Sequence, residues 1–137
     1  MDCAAFFEAV EGRLSAHAVD PGTTVVGDQC VVEFYHPRVV ERLGADGLAA
    51  RFNRSGVVWA PRADHLKVKL RIPDPHRDAV AEALSAAPFP FEETDRRVVV
   101  APDGGTVTML HYSVSTDGVS RSDLETTLDA VARALAV

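Results

Sequence analysis

Leu66-Lys67-Val68-Lys69-Leu70-Arg71-Ile72-Pro73-Asp74-Pro75 is the stretch that decides the fold of this chain. Leu66, Val68, Leu70 and Ile72 alternate with Lys67, Lys69 and Arg71, the period of two that gives a strand one apolar face and one wet face. Pro73-Asp74-Pro75 ends the strand and starts a helix, with Asp74 expected as N-cap and Pro75 as the first helical residue. Val80, Ala83, Leu84 and Ala87 then fall on the buried side of that helix. A half-buried strand running straight into an amphipathic helix is the unit of a sheet with helices packed on it.

Outward from this segment the same order recurs. Residues 23–53, 57–87 and 98–136 each read strand, turn, strand, helix, and Val57-Val58-Trp59-Ala60-Pro61 echoes Val98-Val99-Val100-Ala101-Pro102. The three units are not copies. In the first, Thr23 to Val26 and Cys30 to Tyr35 flank Gly27-Asp28 as a hairpin. His36-Pro37 closes it, and Gly44 and Gly47 break the helix expected over Val39 to Phe52 into two short pieces, each glycine costing about 1 kcal/mol in a helix. In the third, Val98 to Ala101 and Thr106 to Ser115 flank the turn Pro102-Asp103-Gly104-Gly105. The second of these strands is apolar on both faces and is expected inside the sheet. Ser122 with Glu125 reads as a capping box for a last helix whose stripe is Leu124, Leu128, Val131 and Leu135. A leading helix carries Cys3, Phe6, Phe7, Val10, Leu14 and His17 on one face and is stopped by Pro21-Gly22. The expected fold is α+β, an antiparallel β-sheet with helices packed on it, in the order α-ββ-α-ββ-α-ββ-α and as a single domain over residues 1–137.

Composition limits what such a domain does. The formal charge of −6 on 137 residues disfavours a nucleic-acid partner, which needs a clustered basic surface. Cys3 and Cys30 show no C-x-x-C spacing, so they are expected as buried thiols in a reducing cytoplasm rather than as metal ligands or a disulfide. The first residues carry acidic Asp2 and Glu8 and no basic region, and no apolar run approaches the roughly 18 residues of a membrane span. Neither export nor a membrane partner is expected.

The leading helix, the helix from Asp74 to Ala87, and the ending Gly104-Gly105-Thr106 through His111-Tyr112-Ser113-Val114, then Gly118-Val119-Ser120, resemble the YbjN-type bacterial sensory transduction regulators, which are similar in fold to type III secretion chaperones. Residues 38–53 would be an inserted helix relative to that pattern. The resemblance implies a non-enzymatic module, chaperone-like or regulatory, that binds a protein or peptide, acts as a cytoplasmic homodimer and needs no cofactor. A sheet edge can accept a peptide strand through main-chain hydrogen bonds while neighbouring pockets read its side chains. Phe89, Phe91 and Trp59 are the aromatic candidates for partner binding, with Phe6 and Phe7 expected in the core. Lys67, Lys69 and Arg71, a basic row in an acidic chain, are the candidates for an acidic peptide or phosphate-bearing ligand.

Gly56-Val57-Val58 with Leu70-Arg71-Ile72 also resembles the small domain of fold-type-I pyridoxal phosphate enzymes. Such enzymes hold their cofactor on a lysine, and the lysines here, Lys67 and Lys69, point outward on one strand. The alternative is therefore a detached, cofactor-free domain, or a small-molecule enzyme using His, Asp and Cys side chains in a sheet-helix cleft. Asp64, His65, His111 and Cys30 are the side chains whose convergence would make such a cleft. None of the five histidines shows a metal-ligand spacing, and Asp103-Gly104-Gly105 reads as a hairpin turn rather than a phosphate loop.

Overall fold

The computed structural model describes the backbone of residues 1–137 and every side chain except those of residues 48 and 49. Helix α1 (Cys3–Leu14) leads to strands β1 (Val19–Val26) and β2 (Gln29–Tyr35), then to the short helices α2 (Pro37–Leu43) and α3 (Leu48–Arg51). Strands β3 (Ser55–Ala60) and β4 (His65–Pro73) follow, then a 3-10 turn (Asp74–His76) and α4 (Arg77–Leu84). Strands β5 (Glu92–Val100) and β6 (Thr106–Thr116) precede α5 (Arg121–Leu135). The six strands form one antiparallel sheet in the order β1-β2-β3-β4-β6-β5. The α+β expectation holds, and β6 is interior, between β4 and β5.

The period of two in β4 sorts the layers. Leu66, Val68, Leu70 and Ile72 are at most 1 % exposed and join Cys30, Val32, Phe34, Val57, Trp59, Leu110, Tyr112 and Val114 in the main core. Phe6, Val10 and Leu14 of α1, Val80 and Leu84 of α4, and Leu124, Leu128, Val131 and Leu135 of α5 close that core from one side of the sheet. Phe6 stacks on Trp59 with ring centroids 6.4 Å apart, and the Trp59 indole N–H donates to the Met1 carbonyl at 3.3 Å.

Alternation puts Tyr35, Val107 and Met109 on the opposite face. There they join Val39 and Leu43 of α2 and Ala50 of α3 in a second, smaller core. The 38–53 insertion, two short pieces as its glycines predict, thus roofs one end of a face that is otherwise open. His36 caps α2, its Nδ1 accepting from the Arg38 backbone N–H at 3.1 Å, with Pro37 as the first helical residue.

Several local expectations are corrected. The proline pair after β4 makes a 3-10 turn, so α4 begins at Arg77 and Asp74 is no α-helical cap. Ser120 caps α5, its hydroxyl accepting from the Asp123 backbone N–H at 3.1 Å; Ser122 lies inside the helix. Helix α1 stops at Leu14, leaving His17 exposed, and Pro21-Gly22 lies within β1, at the irregular register between Val19 and Gly22. Strand β5 begins at Glu92, six residues before the apolar run. Its first half is exposed and charged, so hydrophobic alternation gives no signal for it.

The largest correction concerns the cysteines. Cys3 and Cys30 are not free thiols but a disulfide that ties α1 to β2. Their separation of 27 residues matches no compact motif, and only the stacking of α1 on β2 brings them together. The pairing removes the basis for expecting a reducing compartment, because disulfides persist in oxidising ones. No helix is long and apolar enough to cross a membrane among the described residues.

Candidate functional site

The open face of the sheet carries a basic groove. His65, Lys67, Lys69 and Arg71 stand on that face of β4, and the register sets Lys67 opposite Ser115, Lys69 opposite Ser113 and Arg71 opposite His111 on β6. On the other flank, Val58 and Gly56 of β3 face Lys67 and Lys69, and Val31 and Glu33 of β2 lie beyond them. Arg51, Phe52 and Arg54, at the end of the inserted segment, form the wall of a groove of about 540 Å³. Gly56 keeps its floor low, since a Cβ there would lie 3.3 Å from the Val32 carbonyl oxygen.

Lys67, Lys69 and Arg71, the cationic row of this groove, form no ion pair among the described residues, although Glu33 shares the groove and eight ion pairs form elsewhere or at the rim. Partial burial, and then the neighbouring Lys67 and Arg71, hold the Lys69 ammonium below its ordinary pKa. Arg71 is likewise lowered, by burial first and Arg97 second; its guanidinium donates to the Phe52 carbonyl. Burial, then Arg71 and Lys69, lower His111, whose Nε2 is buried without a partner. Each of these shifts has the sign expected where positive charge is crowded and partly desolvated. Glu33 of β2 and Glu92 and Asp95 of β5 each stand two strands from the row in register, and Asp95 is already held low by the Arg96 backbone N–H and by Arg97.

The aromatic candidates lie elsewhere. Trp59 is 1 % exposed and offers no surface to a partner in this conformation. Phe89 and Phe91 are half-buried and line a separate groove of about 430 Å³ with Ala81, Leu84 and Tyr112, on the helix-covered side. Pro90 and Phe89 also border a cleft of about 390 Å³ against the end of β6, where Ser115 is shared with the basic groove.

The suggested convergence of Asp64, His65, His111 and Cys30 does not occur. Cys30 is in the disulfide on the helix-covered face. His111 pairs with Arg71, six residues along β4 from His65, about 20 Å at strand rise. Asp64 lies in the turn before β4, with φ of 45°. His65 instead meets two residues that hydrophobic patterning does not mark. Its Nδ1 is 2.7 Å from Asp117 Oδ1, and its Nε2 is 3.0 Å from Ser115 Oγ. Only the β4–β6 register could have revealed them, as Ser115 and Asp117 continue the face on which His65 and Lys67 lie. No gathering of three or more His, Cys, Asp or Glu side chains suited to a metal is present among the described residues. Comparison with protein-family models, with curated proteins and with solved structures finds no match to this chain.

Proposed function

We propose that this protein is a binding module whose open sheet face holds an acidic, extended segment of a partner polypeptide, in a chaperone-like or regulatory role. The observation that carries the reading is the row Lys67, Lys69 and Arg71, three cations on one face of a central strand that pair with no carboxylate among the described residues, in a chain of net charge −6. Holding them together costs free energy through mutual repulsion and partial desolvation, and an anion in the groove offsets the repulsion with attraction of the opposite sign. The side chains repeat about every 7 Å along β4, the spacing at which an extended peptide presents alternate side chains. The homodimer implied by the resemblance to YbjN-type regulators draws support from edge strand β5, where Val98 and Val100 are 70 % and 65 % exposed.

The test is fluorescence anisotropy with three labelled octapeptides, one rich in Asp and Glu, one neutral and one rich in Lys. Only the acidic peptide should bind, its affinity should fall with added salt, and Lys67→Glu with Lys69→Glu should weaken it at least about tenfold. Equal affinity for the neutral peptide, or binding indifferent to the double substitution, overturns the reading.

A further inference from the structure

We propose that Ser115 is the nucleophile of an ester-hydrolysing site, with His65 as its general base and Asp117 as the carboxylate that orients the imidazole. The three side chains are linked in series: Asp117 Oδ1 is 2.7 Å from His65 Nδ1, and His65 Nε2 is 3.0 Å from Ser115 Oγ. An ionised carboxylate only accepts, so the Nδ1 facing it carries the proton. In the neutral ring Nε2 is then the acceptor, and the Ser115 hydroxyl donates to it. That is the polarity a serine nucleophile requires, and it is recognised by geometry rather than by fold.

The fold builds this arrangement from both sides. Ser115 lies in β6 and Asp117 one residue past its end, so both project to the side where His65 begins β4. Gly118, at φ of 70°, turns the chain just after Asp117, and the Val119 N–H bonds the Asp64 carbonyl at 3.1 Å. The backbone segments that carry His65 and Asp117 are thereby held together. Ser115 is exposed and borders both the basic groove and the cleft beside Pro90. Strand β5 pairs with β6 only as far as Ser113, so residues 114–116 have no strand partner on that side and leave room for an acyl group.

The chemistry balances with water as co-reactant. Ser115 Oγ bonds to the ester carbonyl carbon as its proton passes to Nε2, and Lys67, opposite Ser115 in register, is the cation placed beside the developing oxyanion. The tetrahedral adduct collapses, the C–O bond to the leaving alcohol breaks, and that oxygen takes the proton from Nε2. Water then attacks the acyl-serine, gives its proton to Nε2, and releases the carboxylic acid as Ser115 regains its hydrogen. The substrate class is a small carboxylic ester bearing an anionic group that reaches Lys67 and Lys69. This charge requirement rests on the anion-binding reading above, whereas the nucleophile does not. Asp117 is 79 % exposed in its side chain, so solvent competes for its hydrogen bond. The rate gain from the base is accordingly set at or below the lower limit usual for general-base catalysis, about 10- to 100-fold.

The experiment compares hydrolysis of neutral p-nitrophenyl acetate and anionic p-nitrophenyl hydrogen succinate by the intact protein. Release should exceed that of Ser115→Ala and His65→Gln by about 10- to 100-fold, with the acetyl adduct located on Ser115 by mass spectrometry. Asp117→Asn should lower kcat with KM unchanged, and Asp117→Glu should restore part of it. The succinate ester should be the better substrate, an advantage that Lys67→Met abolishes. Since Ser115 is exposed, its alanine variant folds, which circular dichroism verifies. If Ser115→Ala hydrolyses acetate as fast as the parent, or the adduct sits on another residue, the esterase site is disproved. If Ser115 is acetylated but the succinate ester gains nothing, the esterase stands and the anionic-groove reading fails.

Discussion

His36 Nε2 donates to the carbonyl oxygen of Ala134 at 2.8 Å, joining the cap of α2 to the last turn of α5. Its Nδ1 accepts from the Arg38 backbone N–H, so one neutral tautomer satisfies both ring nitrogens. Burial is the main cause that lowers its pKa from 6.5 to about 4, with His76 and Arg38 adding, while the Ala134 bond opposes. A helix C-terminus favours an imidazolium by about 1 kcal/mol, and here desolvation wins. Between pH 6.5 and about 4 the unfolded chain binds a proton that the folded chain refuses. Stability is therefore lost as pH falls through that window, by about 3 kcal/mol in full. Urea melts at pH 7 and pH 4.5 should show this loss, and His36→Gln should flatten it; an equal loss in the variant refutes the assignment.

The Cys3–Cys30 bond closes a loop of 27 residues between α1 and β2. Constraining the unfolded chain to that extent contributes about 3 kcal/mol. Dithiothreitol should lower the Tm of the parent and leave Cys3→Ala/Cys30→Ala unaffected, with that variant melting near the reduced parent. Thiol titration of the untreated, denatured protein should find no free thiol. Two reactive thiols per chain there would contradict the pairing.

The Ser120 hydroxyl accepts from the Asp123 N–H at 3.1 Å, while the Ser122 carbonyl accepts from the Thr126 hydroxyl within the helix. Ser120→Ala should therefore cost about 1 kcal/mol, the ordinary worth of an N-cap. Ser122→Ala should stay within about 0.5 kcal/mol of the parent. Denaturant midpoints measured side by side check this, and a reversed ranking would restore the capping-box register to Ser122.

What the chain discloses by itself depends on whether the information is local. The period of two in β4, the glycine breaks of the insertion and the Gly27-Asp28 turn are local, and each element stands where its pattern puts it. The basic row on β4 belongs to the same class, because alternation alone sets Lys67, Lys69 and Arg71 on one face. Strand β5 does not: Glu92 to Arg97 is charged and exposed, and its strand character comes from pairing with β6. Trp59 reads by itself as a partner-binding candidate and is instead core for a related reason, since Phe6 from another element stacks over it. The disulfide and the Ser115, His65 and Asp117 relay are the extreme case. Their members come from different elements, and register and helix stacking, not spacing, bring them within bonding distance.

Lys69 connects stability to the proposed binding. It sits between Lys67 and Arg71 on one strand face, and burial together with those two charges disfavours its ammonium. Lys69→Met keeps the alkyl stem that packs on the sheet and removes the repelled charge. The variant should be more stable by about 0.5 kcal/mol, and its Tm should respond less to added salt, because screening relieves a repulsion that the variant lacks. Its affinity for the acidic octapeptide should fall at the same time. A site kept for binding at the expense of stability shows both changes together. If Lys69→Met lowered the Tm and left peptide binding intact, the row would be the solvated face of a strand and nothing more.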